Sequence, residues 1–379
     1  MTRPIVAEIS VSALQHNYAL AKNLAPRSKV FAVVKANAYG HGLAIVANAL
    51  KDADAFATLE IDSAITLRKM GIEAPILMLE GFFGEKEIEI FANYRLTTAI
   101  RDLEAAKLLA DATIHQPLDV FLKFNTGMNR LGLAGPMQGF ALALAATHKN
   151  FGAVTLMTHF ATADGVEGIS AQMKRFQEIV REAKPIFAQK KIDNGKTNGS
   201  AKSFTQSVAN SASLLRFQQS HLDWVRPGIM LYGSSPFEHK TAVALNLKPV
   251  MTLRSEIIGV QTLAKGDAVG YGATYIAEKK MRIGIVACGY ADGYPRHAPG
   301  NNARGTPVIV SGKRTRTIGR VSMDMLAVDL TDIPHAKVGA PVCLWGEGLP
   351  ADEVAAAAGT ISYELFCAIN QRVPIVEVA

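Results

Sequence analysis

Val30-Phe31-Ala32-Val33-Val34-Lys35-Ala36-Asn37-Ala38-Tyr39-Gly40-His41-Gly42 is an apolar run closed by one ammonium group and followed by a turn. The run Val30 to Val34 is mostly β-branched and aromatic, the composition of a strand buried on both faces of a parallel sheet. Such a strand has no place for a charge, so Lys35 emerges at its C-terminal end. In barrel and doubly wound folds the loops converge at that end to build sites, which makes Lys35 a candidate covalent catalyst. The alternative is a lysine that snorkels to solvent; Lys35 alone does not choose between them.

Working outward, seven more short runs of this kind follow: Ala55 to Leu59, Pro75 to Leu79, Leu96 to Ala99, Asp119 to Lys123, Ala153 to Thr158, Thr205 to Ala209 and Asp223 to Arg226. The intervals carry helix-period patterns, for example Leu43 to Leu50, Ile61 to Met70 and Phe140 to Ala146. Strands alternating with helices pair in parallel, and eight such units close into a (β/α)8 barrel of the TIM type. An open doubly wound sheet has the same alternation, so closure is not written in any one segment. Beyond residue 248 the runs Arg282 to Ala287, Pro307 to Val310, Met325 to Leu330 and Pro341 to Trp345 are separated by Gly, Pro and Asp turns, with one helix-like interruption at Asp352 to Ala358. The expected α/β architecture is therefore a barrel over residues 1–240, of which 1–10 can pair with the second domain, and a mainly-β domain over 241–379. The polar stretch Lys190 to Ser200 lacks an apolar period and is expected to be a surface loop without catalytic duty.

A chain of 379 residues exceeds one ordinary domain at about 150 residues each. With 49% hydrophobic and 19% charged residues it is globular and soluble, and no stretch reaches the ~18 apolar residues of a membrane span. Glu8 falls where a signal peptide needs its apolar core, so no export signal is expected and the location is read as cytoplasmic. Cys288, Cys343 and Cys367 are odd in number and lack metal-ligand spacing, which reads as small core residues with no disulfide and no metal. The net charge of +7 is spread over short clusters such as Arg68-Lys69, Lys190-Lys191 and Lys313-Arg314, which disfavours nucleic acid and suits small anionic ligands.

Further segments join Lys35. In the barrel half they are Lys123-Phe124-Asn125-Thr126-Gly127-Met128-Asn129-Arg130-Leu131-Gly132, Thr158-His159-Phe160-Ala161, Asn210-Ser211-Ala212 and Arg226-Pro227-Gly228-Ile229-Met230-Leu231-Tyr232-Gly233. The β half adds Gly270-Tyr271-Gly272-Ala273-Thr274-Tyr275 and Gly319-Arg320-Val321-Ser322-Met323-Asp324. Each barrel segment follows a predicted strand, and polar residues at several strand ends of one barrel converge on one mouth.

Together these segments resemble the bacterial alanine racemase family, enzymes dependent on pyridoxal 5′-phosphate with a barrel and a C-terminal β domain, over nearly the whole chain. The run Val34 to Gly42 resembles the family's cofactor-attachment signature, and Tyr271 in Tyr-Gly-Ala-Thr-Tyr its second catalytic position. The resemblance implies that Lys35 holds the cofactor as a Schiff base and then serves as base on one face of the substrate Cα, with Tyr271 serving the other. Racemisation demands two bases, because a single fixed base tends to return the proton to the face it left. A lysine becomes basic at neutral pH when burial or a nearby cation lowers its pKa from ~10.4, and a phenol needs cationic or hydrogen-bonding neighbours. Without the resemblance, Tyr271 reads as a turn aromatic packed between two glycines.

The same resemblance places Arg226 against the pyridine nitrogen, where a guanidinium that keeps its proton leaves the ring nitrogen unprotonated and the electron sink weak. His159 would lie beside the ring and link to Arg226. Ser211, Gly228 and Ile229 would hold the phosphate, the last two through backbone amides, and Tyr39 and Tyr363 would complete that contact. Arg130 and the backbone of Met323 would bind the substrate carboxylate, Arg130 by its planar fork. Lys123 matches a lysine that carries a carbamate in many members. Asn125 and Ser322 depart from the family pattern, which often has aspartate and cysteine there. Arg296, Asp164, Arg320 and Ile361 would line the access corridor. A head-to-tail homodimer with two shared sites is implied, making D-alanine for peptidoglycan or serving alanine catabolism.

The rivals are a decarboxylase of the same barrel type, a non-catalytic cofactor-binding barrel and a broad-specificity racemase. The first expects an acidic partner for the pyridine nitrogen and a cysteine near the site, the second lacks a β domain, and the third usually carries an export signal.

Overall fold

Eight parallel strands close into a barrel: Lys29–Val33, Ala55–Thr58, Ile76–Met78, Leu96–Ile100, Leu118–Lys123, Phe151–Met157, Phe204–Ser207 and Trp224–Val225. The computed structural model describes residues 3–189, 202–298 and 303–379, and the backbone of 192–193 and 196–197. Each strand pairs with the next, and the eighth returns to the first with Trp224 opposite Lys29 and Val225 opposite Val30. That pairing excludes the open sheet. Every residue of the second, third and fourth strands is buried, as helices on the outside and side chains within the barrel require of a parallel strand. Helices Leu43–Ala49, Ile61–Lys69 and Met137–Thr147 fall where the 3.6 period placed them. A longer helix, Ser170–Ala188, turns Phe176, Ile179, Val180, Ala183 and Phe187 inward at three- and four-residue spacing.

The second domain is an eight-stranded, largely antiparallel sheet built around one long strand, Met251–Leu263. Its first half pairs with Val6–Ser10 and with Pro341–Trp345, and its second half with Met281–Val286. The register shifts between Ile257 and Gly259, so one strand serves two sets of neighbours. Strands Leu326–Asp329, Lys313–Ile318 and Pro307–Val310 complete the ring, and Val6–Ser10 also pairs in parallel with Ile375–Val378. The polar stretch at 190–200 lies mostly outside the described residues; within it Ile192–Asp193 and Lys196–Thr197 pair antiparallel where a plain loop was expected. Cys288 and Cys343 are buried as expected, but Cys367 is exposed. It ends the short helix Ser362–Cys367, whose inward face is taken by Leu365 and Phe366. No described helix is long and apolar enough to cross a membrane.

The two domains meet where backbone touches backbone. Gly40 has φ +76, and a Cβ there would collide with the carbonyl oxygen of Phe366 in the second domain. Nearby, Ser234 Oγ bonds to Asp352 and lies 2.5 Å from Ser362 Oγ, while Ser235 N donates to Asp352 Oδ2 at 3.0 Å. Replacing Gly40 by alanine adds both left-handed strain and this collision, and we expect it to lower unfolding stability by about 3 kcal/mol or more. Urea denaturation checks this; a change below about 0.5 kcal/mol would contradict the close approach.

Candidate active site

Lys35 stands two residues past the first barrel strand and opens a turn of the opposite hand. Ala36, Asn37, Ala38 and Tyr39 have φ between +51 and +55, and Gly40 follows at +76. Left-handed backbone costs a non-glycine residue about 1–2 kcal/mol, so four in succession need support from their surroundings. Ala38 N donates to Val34 O at 2.9 Å, Gly40 N to Ala36 O at 2.9 Å and Gly42 N to Asn37 O at 3.1 Å. The Asn37 carboxamide accepts from Leu43 N at 2.8 Å, capping the helix that follows. Packing adds to this. The Tyr39 ring stacks on Tyr232 at 4.8 Å, and Tyr232 Oη donates to Val33 O at 2.8 Å. His41 Nδ1 donates to Tyr39 O at 2.8 Å, and burial lowers its pKa to about 4, so the ring is neutral. Lys35 is thus delivered by a rigid, strained elbow.

Lys123 ends the fifth strand, His159 lies two residues past the sixth, Ser211 follows the seventh and Arg226 the eighth. Arg226 is 6% exposed. Its Nη1 donates to Ser207 Oγ at 2.5 Å, and its Nη2 to Thr158 O at 2.6 Å and Val208 O at 3.5 Å. No carboxylate pairs with it among the described residues. Burial pulls its pKa down to about 10. Burial, then the cations of Arg226 and Arg130, bring Lys123 down to about 8, with Glu80 acting the other way and Lys35 adding to the depression. His159 falls to about 3, first through burial and then through Arg226, Arg130, Lys123 and Lys35. The charges of Arg226, Arg130 and Lys35 therefore bear on Lys123 and His159 at a single mouth, and the imidazole stays neutral. Arg130 itself is exposed and makes no ion pair among the described residues.

Beside this cluster lies a corner of hydroxyls and amides. Ser211 Oγ accepts from Gly228 N at 2.9 Å and Met230 N at 3.4 Å, and a hydroxyl that accepts two protons donates its own more strongly. A Cβ on Gly228 would stand 2.5 Å from Tyr39 Oη, so the phenol lies directly over that backbone. Tyr363 is 6.1 Å from Tyr39 between ring centroids, and burial raises both phenols well above the ordinary value of 10, with Asp164 and Asp352 adding to the rise at Tyr363. Both remain protonated donors.

Tyr271, Met323 and Ile361 behave differently: they are 70%, 53% and 61% exposed on the second domain. The Tyr271 turn packs against Arg320, whose Nη1 lies 3.3 Å from where a Gly272 Cβ would be. Tyr271 is too exposed to be packing between its glycines. Arg296, Asp164 and Arg320 are exposed. Within one chain, Tyr271, Met323, Arg320 and Arg296 share no hydrogen bond or ring contact with the barrel mouth among the described residues. The same holds for metals: no cluster of three or more His, Cys, Asp or Glu is found there.

Thr158 and Tyr232, quoted within candidate segments but given no role, and Ser207, Gln172 and Glu80, which were passed over in the sequence, shape this mouth. Thr158 sits directly before His159, and Ser207 ends a strand, which are the available signals. The departure at Asn125 is resolved: its Oδ1 accepts from Gly127 N at 3.0 Å and Asn129 N at 3.1 Å, and its Nδ2 donates to Asn129 Oδ1 at 3.0 Å. It closes the turn leading to Arg130. Ser322 keeps its loop by backbone, accepting from Tyr290 N at 3.0 Å and donating to Met325 O at 2.8 Å.

Family models for the alanine racemase N-terminal and C-terminal domains match residues 9–236 and 250–377. An alanine racemase of Burkholderia mallei is 51% identical over 376 residues, 99% of each chain. A catabolic alanine racemase of Salmonella typhimurium is 49% identical over 377 residues, again 99% of each. The crystal structure of the biosynthetic alanine racemase of Pseudomonas aeruginosa superimposes with a TM-score of 0.86 at 44% identity, covering 100% of both chains.

The depressed His159 gives a test. Its folded-state pKa of about 3 lies below the ordinary 6.5, so the unfolded chain binds a proton that the folded chain refuses. Stability from this residue is present above pH 6.5 and is lost as pH falls toward 3, by up to about 1.4 kcal/mol per pH unit. Denaturant titrations of the His159→Gln variant should show a shallower acid limb than the parent; parallel limbs would contradict the buried, cation-flanked imidazole.

Proposed function

The chain belongs to the alanine racemase family, whose members are pyridoxal 5′-phosphate-dependent isomerases acting on amino acids, and we propose that it interconverts L-alanine and D-alanine by a two-base mechanism. The observation that carries this reading is the cation-rich mouth behind Lys35, where no carboxylate among the described residues pairs with Arg226. An acid-poor mouth with a neighbouring corner of hydroxyl and amide donors has an electrostatic deficit that a phosphate and a carboxylate would fill, and the residues present fit the cofactor. When bound, pyridoxal 5′-phosphate supplies an aldehyde for the substrate amine and a conjugated ring that draws electrons from the Cα–H bond.

In this proposal Ser211, the amides of Gly228 and Ile229, and the hydroxyls of Tyr39 and Tyr363 hold the phosphate. Lys35 anchors the cofactor and moves a proton at Cα on one face. Arg226 gives a hydrogen bond without giving up its proton, which keeps the ring nitrogen unprotonated and limits the reaction to proton exchange. A decarboxylase needs the opposite arrangement at that nitrogen. His159, neutral, orients the ring beside Arg226. Arg130 and the Met323 backbone bind the substrate carboxylate. Lys123, with its pKa near 8, has enough neutral amine at neutral pH to take up carbon dioxide, and the resulting carbamate would anchor Arg130.

Tyr271 serves the second face. Its exposure on a single chain supports a head-to-tail homodimer in which the second domain of one copy completes the barrel mouth of the other, with Arg296, Asp164, Arg320 and Ile361 along the corridor. Three unpaired cysteines support a reducing, cytoplasmic setting. The product would feed peptidoglycan synthesis or alanine breakdown.

Racemisation of L-alanine beside L-serine and L-lysine by the cofactor-loaded protein is the direct test. Alanine should react fastest, and no turnover of alanine would overturn the reading. Tyr271→Phe should lower the rate by roughly 10²–10⁴-fold, and solvent-hydrogen exchange should fall more from one enantiomer than from the other. Equal losses from both would contradict the two-base assignment.

A further inference from the structure

The helix Ser170–Ala188 has no part in the roles above, yet one of its side chains grips two loops of the barrel mouth. Gln172 is 7% exposed, and its carboxamide is fully engaged. Oε1 accepts from Ala161 N at 2.7 Å, and Nε2 donates to Thr126 Oγ1 at 3.1 Å and to the His159 carbonyl at 3.2 Å. The Thr126 loop runs on to Arg130; the other loop carries His159. Thr126 Oγ1 also lies 2.8 Å from Thr158 Oγ1, which donates to Phe124 O at 2.9 Å, and the Thr158 carbonyl is the group that receives Arg226 Nη2. One turn along the helix, Arg175 Nη1 donates to the Thr126 carbonyl at 3.0 Å.

The chemistry of the side chain is specific. A glutamate of the same length has no N–H for Thr126 and His159, a methionine neither donates nor accepts adequately, and an asparagine is one methylene short. A buried amide left unpaired is costly, so all three contacts are held together or lost together. We infer that Gln172 is a positioning residue: it fixes the loop leading to Arg130 against the loop bearing His159, and so sets the geometry in which the substrate carboxylate is received. This rests on the racemase reading above. Gln172 acts through Thr126 and the His159 backbone, not on the substrate.

The test uses full-length, cofactor-loaded protein carrying Gln172→Glu or Gln172→Met, with the exposed Gln177→Glu on the same helix as control. KM for alanine and the inhibition constant of propionate, a carboxylate without the amine, are measured with kcat and the urea midpoint. Both Gln172 variants should raise KM and the propionate constant together by roughly tenfold, equivalent to about 1.4 kcal/mol, with kcat changed less. Gln177→Glu should match the parent. Because both constants are properties of each folded site, a Gln172 variant that only loses stability, with both constants within twofold of the parent, overturns the inference. A parent protein that does not racemise alanine would instead overturn the functional reading.

Discussion

Arg226 is buried at the end of the eighth strand and bonds to a serine hydroxyl and two carbonyls, with no carboxylate among the described residues to share its charge. Taking a guanidinium out of water costs several kcal/mol unless its surroundings answer it, and neutral oxygens answer it only in part. Burial is the first cause of the lowered pKa values of Arg226, Lys123 and His159, and the Arg226 charge adds to the depression of the last two. The buried charge is tolerated because the strand ends that carry it are locked by the closed barrel, in which the second, third and fourth strands have every residue buried. A mouth held in this state is prepared for anions. In the proposed reading it would also hold a ring nitrogen without protonating it, a restraint that would favour proton exchange over decarboxylation.

The remaining architecture keeps this mouth in register. The left-handed elbow after the first strand aims Lys35 at the expense of four unfavourable backbone conformations, offset by the Tyr39–Tyr232 stack and by Gly40 lying against Phe366. That last contact joins the elbow to the segment bearing Tyr363. The Ser234–Asp352–Ser362 network fastens the same segment to the loop that follows Gly228 and Ile229. The two sides of the proposed phosphate corner are therefore tied both by backbone packing and by a buried polar cluster. Gln172 does the equivalent work for the loops of Arg130 and His159.

Much of this was legible in the chain itself, for identifiable reasons. Strands buried on both faces are continuous apolar runs, so barrel strands such as Lys29–Val33, Ala55–Thr58 and Ile76–Met78 stood out, and a lysine at the end of one was conspicuous; the polar Phe204–Ser207 was read from its place in the strand–helix alternation. Other features depend on contacts distant in sequence. Closure rests on Trp224 and Val225 meeting Lys29 and Val30, which no local pattern encodes. Ala36-Asn37-Ala38-Tyr39 has no intrinsic preference for the left-handed region; Tyr232 and Phe366 impose it. In the strand Met251–Leu263, Arg254 and Glu256 face outward in step with the alternation, but polar Ser255 takes an inward position and the pattern shifts at Gly259, where the strand changes neighbours, so the strand was missed. Gln172 lies near the start of a helix that the sequence reading did not single out, and Cys367 read as a core thiol although its helix turns Leu365 and Phe366 inward.

The protonation state of the cofactor's ring nitrogen reports on Arg226 most directly. With ¹⁵N-labelled pyridoxal 5′-phosphate bound to the protein, nitrogen NMR should show an unprotonated pyridine nitrogen from pH 6 to 9, and a protonated one when Arg226 is replaced by glutamate. A protonated ring nitrogen in the parent protein would contradict the account.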